Sequence, residues 1–117
     1  MKKILFAIII AVVGGLSVMC TSAQEKEIAI VAHRGFWNCD AAGSAKNSIA
    51  ALAQAQELGV WGSEFDVNLS EDGVLLVFHD GSVDGKRIEK NPASAFADHR
   101  LKNGERIPVI DEYLEQA

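Results

Sequence analysis

Residues 27–32, EIAIVA, form a nearly continuous apolar run that stops abruptly at His33-Arg34-Gly35. No other stretch limits the possible folds as much. A segment of strand length that is apolar on both faces must be covered on both faces, and such strands belong to parallel sheets. A parallel neighbour requires a crossover connection, and the sequence provides one. A loop of small and polar residues over 36–45 leads to Asn47 or Ser48 as the cap of a helix. That helix carries Ile49, Leu52, Ala53 and Leu58 at helical spacing, with Gly59 where a C-terminal cap belongs. Val60 and Trp61 then enter a second strand over 62–67, GSEFDV. Strand, helix and strand within about forty residues make a parallel crossover unit of right-handed geometry.

Alternation along the second strand sets Glu64 and Asp66 on one side, about 6 to 7 Å apart along the chain, and turns Phe65 and Val67 the other way into apolar packing. Two carboxylates on one face are unfavourable unless a cation holds them, one keeps its proton, or water solvates both. A hard divalent metal is the simplest of the three. At the end of the first strand, alternation aligns His33 with Val31 and Ala29, and Gly35 lets the chain turn sharply.

Ser70-Glu71-Asp72-Gly73 supplies turn chemistry before a third strand over 74–80, in which Leu75, Val77 and His79 share one face and Leu76 and Phe78 the other. So short a connection makes either an antiparallel hairpin or a barrel unit whose helix is replaced by a turn. The polar segment 81–104 departs from the strand–helix rhythm and holds one short helix, with Asn91 as cap and Pro92 at its first position. Ile110, Tyr113 and Leu114 open a last amphipathic helix. His99, among charged neighbours in the polar segment, reads as a surface residue. Trp61 reads as a packing residue, and Trp37 as either packing or the rim of a pocket.

The first twenty-three residues stand apart. Lys2 and Lys3, the apolar run 4–13 and the small residues closing at Ala23 have the layout of a cleaved secretory signal peptide, which implies export to the periplasm or beyond the cell. Gly14-Gly15 interrupt the run and leave it short for a bilayer span. Cys20 raises the alternative of lipidation and membrane association, against which the bulk of Met19 just before it stands. Without this segment nine Lys and Arg face sixteen Asp and Glu, a net charge near −7 that argues against nucleic acid as a partner. Cys39 is then the single cysteine, with nothing in the chain to pair with.

Taken in order, His33-Arg34-Gly35, Asn47-Ser48, Glu64-x-Asp66-Val67, Asp72-Gly73, His79-Asp80 and Gly104-Glu105-x-Ile107-Pro108 resemble the glycerophosphodiester phosphodiesterase family. None of these motifs is specific alone; the series and its spacing are, and they cover residues 28–117. The resemblance implies an α/β fold: the first three strands of a (β/α)8 TIM-type barrel over 24–117, with an inserted segment after the His-Asp strand and the remainder of the barrel expected beyond Ala117. Three strands of such a barrel leave edges and inner faces without partners. It further implies hydrolysis of glycerophosphodiesters to glycerol 3-phosphate and an alcohol, with Glu64 and Asp66 as metal ligands, His33 and His79 as catalytic histidines, and Arg34 on the phosphate. The oxygen ligands suit Ca2+ or Mg2+.

In such families the substrate's own glycerol hydroxyl attacks first, and water then opens the cyclic phosphate. That chemistry needs a cation, a base and an acid around one phosphate. His33 is assigned as base and His79 as acid in the first step, with the exchange of roles left open. Two departures stand out. Lys46 occupies a position where the family commonly has an acidic residue, with Ser48 in place of threonine, and a further acidic ligand is expected on a later strand. Two other readings stay open: a chain that binds metal or phosphate without turnover, and a related phospholipase acting on intact phospholipid.

Overall fold

The computed structural model describes residues 28–117; the signal-peptide segment, Cys20 and the start of the first apolar run lie outside the described residues. The elements in order are β1 (Val31–His33), α1 (Ile49–Leu58), β2 (Gly62–Glu64), β3 (Val67–Leu69), β4 (Leu75–Val77), β5 (Ser82–Val83) and β6 (Lys86–Arg87). Two 3₁₀ turns follow, Ile88–Lys90 and Ala93–Phe96, and then α2 (Ile110–Gln116). β1 and β2 pair in parallel with His33 opposite Glu64, so the expected crossover unit is present. Ser48 is the cap of α1: its hydroxyl accepts the Ala51 N–H, and Gly59 closes the helix in the left-handed region. Among the described residues no helix is long and apolar enough to cross a membrane.

The second strand differs from expectation. Residues 62–67 do not form one strand, because the ladder breaks at Phe65-Asp66 between β2 and β3. β1 turns away after His33, through Arg34 and Gly35 at φ 62° and 78°, leaving β2 without a partner. The Asp66 N–H is instead taken by the side chain of Asn47. β3 then forms an antiparallel hairpin with β4, Val67 opposite Val77, which settles the third strand as a hairpin rather than a third parallel strand. Phe65 does enter apolar packing, its ring centroid 4.8 Å from that of Tyr113, whereas Val67 is exposed.

β4 divides the core in the way its alternation foretold. Leu76 enters one cluster with Val83, Ile88, Phe96 and Ile107, against which Phe78 also packs; Val77 enters another with Leu52 and Tyr113. Burial pushes the Tyr113 phenol up in pKa. Residues 107–109 run antiparallel beside β4, with the Val77 N–H donating to the Pro108 carbonyl at 2.8 Å. In the inserted segment, β5 and β6 form an unforeseen hairpin around Asp84-Gly85, both at positive φ as a two-residue turn demands. The expected helix there is a 3₁₀ turn beginning one residue later, with Pro92 rather than Asn91 at its cap. Asp72 fastens that turn to the β3–β4 connection. Its carboxylate accepts the Ser70 hydroxyl at 2.6 Å and the Ala93 N–H at 2.9 Å, and these bonds hold its pKa below the usual carboxylate value.

Burial of the first strand on both faces is not observed. Ile28 is 84% exposed and Ile30, Val31, Leu58 and Trp61 are also open, contrary to the packing expected of Trp61. β1 has β2 on one edge and no other strand beside it among the described residues, so nothing there covers these side chains. Leu114 of α2 is likewise exposed, while Tyr113 is buried.

Gly35 sits where the loop after β1 presses on α1, held by the Phe36 N–H donating to the Ala51 carbonyl at 2.9 Å. A Cβ at Gly35 would stand 2.7 Å from both the carbonyl carbon and the Cβ of Ala51, at a φ that L-residues avoid. Gly35→Ala therefore loses about 2–4 kcal/mol of stability from the left-handed conformation and overpacking together. Denaturant midpoints measure it, and an unchanged midpoint would show that loop and helix are not in close contact.

Candidate functional site

The chain's chemically active groups gather at the carboxyl ends of the parallel pair, the end at which barrel sites of this connectivity are built. His33 ends β1 and Glu64 ends β2, one opposite the other, with His33 Nε2 3.8 Å from Glu64 Oε2. The Arg34 N–H donates to the same carboxylate oxygen at 3.1 Å. The Arg34 side chain reaches Asp66, with Nε 3.2 Å from Oδ2, an ion pair in which the N–H does not point squarely at the oxygen. Arg34 thus ties both carboxylates, one by its backbone and one by its guanidinium. Its φ of 62° costs a bulky residue about 1–2 kcal/mol, which the surrounding bonds offset. One of these comes from Asn47, whose N–H donates to the Arg34 carbonyl at 3.0 Å.

Asn47 matters more than a helix cap would. It is buried and sits at φ 57°, and its amide grips Asp66 from both sides: Nδ2 donates to Oδ2 at 3.0 Å, and Oδ1 accepts the Asp66 N–H at 3.2 Å. Sequence reasoning offered Asn47 as a cap and missed this second use. It also missed Glu105, whose carboxylate accepts the Ile49 N–H at 2.9 Å and the Ala50 N–H at 3.1 Å. These are free N–H groups of the first turn of α1, where a negative charge is favoured. No local signal marks Glu105, because the helix it caps begins more than fifty residues earlier.

His79 follows β4, its Nδ1 2.7 Å from Asp80 Oδ1. Asn68 steadies this turn by donating to the carbonyls of Phe78 and Asp80 at 2.6 and 3.2 Å. A cleft of about 470 Å³ brings His79 together with Arg34 and Asn47. His33, Arg34, Glu64 and Asp66 therefore form one connected cluster, and His79 stands on the wall of the cleft that Arg34 also lines. Both histidines are open to an incoming group, His33 at 70% and His79 at 48% side-chain exposure. His99 departs from the surface reading. It is only 23% exposed, lines the same cleft, pairs through Nδ1 with Asp84 Oδ2 at 3.0 Å and sets its ring edge-on to Phe78. Trp37 lies under the Lys46 ammonium, 4.6 Å from the ring centroid.

The carboxylate pair is neutralised within the chain by Arg34, one of the ways two such charges become tolerable. It still has room for a cation. Glu64 Oε1 and Asp66 Oδ1 accept no hydrogen bond from the described residues, and oxygen donors of this kind suit a hard divalent ion. The set is partial, since the described residues include no cluster of three or more His, Cys, Asp or Glu placed to hold a metal.

Comparison with known proteins agrees with this arrangement. The model of the glycerophosphoryl diester phosphodiesterase family matches residues 33–114, and the chain belongs to that family. A glycerophosphodiester phosphodiesterase of Caldanaerobacter subterraneus is 36% identical over 98 residues, covering 74% of this chain and 39% of that protein. Among solved structures, a glycerophosphodiester phosphodiesterase from Parabacteroides distasonis superposes with a TM-score of 0.71 at 44% identity, over 75% of this chain and 36% of its own. An Oleispira antarctica phosphodiesterase in complex with the product sn-glycerol-3-phosphate gives 0.60 at 29% identity, over 76% and 39%. The chain thus spans less than two fifths of the length of each of these relatives.

Proposed function

We propose that this protein hydrolyses glycerophosphodiesters to glycerol 3-phosphate and an alcohol with the help of a divalent cation, and that residues 24–117 are the N-terminal part of a (β/α)8-type catalytic barrel. The observation that carries the proposal is the convergence of His33, Arg34, Glu64 and Asp66 at the end of the parallel pair, with His79 on the cleft that Arg34 lines. The bound product of the Oleispira relative supports the choice of substrate.

Each residue has a task on this reading. Glu64 and Asp66 hold the cation, Ca2+ or Mg2+, each through the oxygen that no protein group occupies. A cation bound there supplies charge neutralisation for the phosphate oxygens. Arg34 sits between the carboxylates and the cleft, where a guanidinium meets phosphate oxygens in a planar, paired way. His33 takes the proton of the attacking glycerol hydroxyl as its oxygen bonds to phosphorus, and His79 gives a proton to the departing alkoxide as that bond breaks. In the second step water attacks the cyclic phosphate and the two histidines exchange tasks. Asp80 fixes the His79 ring through Nδ1, which leaves Nε2 as the unengaged nitrogen.

Export is part of the proposal, supported by Lys2-Lys3, the apolar run 4–13 and the small residues up to Ala23. A phospholipase would be favoured by an apolar ridge at the mouth of the site. The large exposed apolar residues Ile28, Ile30, Leu58 and Trp61 gather instead around the start of β1 and β2, and none of them lines the cleft.

The test is incubation of the protein, as its gene encodes it, with a glycerophosphodiester and Ca2+ or Mg2+, followed by assay of both products. Glycerol 3-phosphate is expected together with the free alcohol. Release of glycerol and a phosphorylated alcohol, or no release by a folded protein, would sink this reading.

A further inference from the structure

Beyond Arg34 and His79 the cleft continues along a wall the chemistry above does not use. Its lining runs from Lys46 on the loop before α1, past Phe78 and His79-Asp80, to His99, Arg100, Leu101 and Lys102 at the end of the inserted segment. The charge of this lining opposes that of the chain. Sixteen acidic residues outnumber eleven basic ones overall, yet four of the basic residues line the cleft and Asp80 is the single Asp or Glu that does. Arg34 is matched by Asp66, and Asp80 is engaged with His79. Lys46, Arg100 and Lys102 have no carboxylate within ion-pair distance among the described residues.

Two of these three cations are held in place. The Lys46 ammonium rests over the Trp37 ring. Arg100 Nη1 donates to the carbonyls of Ala97 and His99 at 2.8 and 3.0 Å, which leaves Nη2 and Nε for another partner. The backbone beneath is fixed by the Arg100–Arg106 bridge and by the Leu101 N–H donating to the Glu105 carbonyl at 2.8 Å. Concave sites lined by one sign of charge concentrate ligands of the opposite sign. Three unmatched cations facing one cleft are unfavourable until something anionic enters it.

We propose that the preferred diester carries a phosphomonoester on its alcohol, and that this second phosphate lies among Lys46, Arg100 and Lys102 while the scissile one lies at Arg34. The inference rests on the phosphodiesterase reading and deepens it by naming the substrate class. A quaternary or primary amine on the alcohol would meet three like charges, and an uncharged alcohol would leave them without a partner; the site selects against both. The guanidinium of Arg100 offers the paired donors that a phosphate dianion accepts, and the two lysines add point charge on the other side.

The test compares three diesters at low ionic strength: glycerophosphoglycerol, the same molecule phosphorylated on its alcohol, and glycerophosphocholine. The phosphorylated diester is expected to exceed the unphosphorylated one about tenfold in kcat/KM, with the choline ester lowest, and the preference shrinks as salt rises. In the combined variant Lys46→Met, Arg100→Met, Lys102→Met the ratio falls to about one. Lys102→Glu, a change at an exposed side chain with no hydrogen bond among the described residues, lowers the ratio if the combined variant fails to fold. A ratio of one in the unaltered protein, or a ratio unmoved in both variants, overturns the inference while leaving the phosphodiesterase intact. Calorimetry with glycerol 1,3-bisphosphate separates the remaining cases. Binding that the variants lose, in a protein that turns over no diester, removes the enzyme and keeps the anion subsite; neither binding nor turnover removes both.

Discussion

Replacing His79 with alanine lowers kcat/KM on a glycerophosphodiester by about 10²- to 10⁴-fold and costs far less on an aryl ester of glycerol phosphate. The difference follows from the leaving group. An alkoxide departs poorly, so its proton has to arrive in the transition state; an aryl oxide of low pKa departs without that help. A base is needed for either substrate, so His33→Ala damages both to a similar degree. His79 is placed for the test because its only protein partner through Nδ1 is Asp80, and Asn68 holds the turn from behind, so truncation removes the ring without undoing the hairpin. The comparison is made at saturating metal, so that lost ligation is not mistaken for lost proton transfer. Rescue of His33→Ala by the aryl group would exchange the two roles, and full activity of both variants would remove the mechanism.

Asp66→Asn is expected to lower kcat by about 10²- to 10³-fold, the range seen when one preorganised electrostatic group is removed, and to weaken the response to Ca2+ or Mg2+. Asp66 Oδ2 is where Arg34 Nε and Asn47 Nδ2 meet. An asparagine either turns its own NH₂ toward these two donors or offers them an oxygen without the charge. The guanidinium, at 16% side-chain exposure, then lacks its counter-ion. A loss of about 1–2 kcal/mol in stability accompanies the loss of rate, less than for a fully buried pair because Asp66 is partly solvated. In the unaltered protein, chelator removes activity and added Ca2+ or Mg2+ returns it. A variant that binds metal and turns over as before would show that the carboxylate pair had been misassigned.

The crossover unit was legible because its determinants are local. Ser48, Gly59 and the alternation of Leu76 and Val77 act within a few residues of themselves, and each does in the fold what its neighbours suggest. The break between β2 and β3 was not legible, since it depends on β1 ending at His33 and on Asn47 seizing a backbone N–H nineteen residues away. His99 was misread for a related reason. The Asp84-Gly85 turn was visible, but its flanks Ser82-Val83 and Lys86-Arg87 are too short and too polar to announce strands, and it is Asp84 that engages the imidazole on the cleft wall. For the site, the spacing of His33, Arg34, Glu64 and Asp66 on two strand ends foretold their meeting. Neutralisation of the carboxylates by Arg34, from within the chain, did not follow from alternation, which says which way side chains point but not which neighbour arrives.

The Glu105 clasp on α1 also bears on the order in which the molecule comes together. The loop carrying Arg34 and Asn47 leans on the first turn of α1, and that turn is not complete until a carboxylate 55 or 56 residues downstream has docked. On a growing chain emerging from the ribosome, β1, α1 and β2 are all present well before residue 105 appears. The catalytic end of the parallel pair is therefore among the last parts to become ordered, after the inserted segment has folded back and closed a long loop. Nascent chains arrested before residue 105 hold the strands of the site but not its geometry.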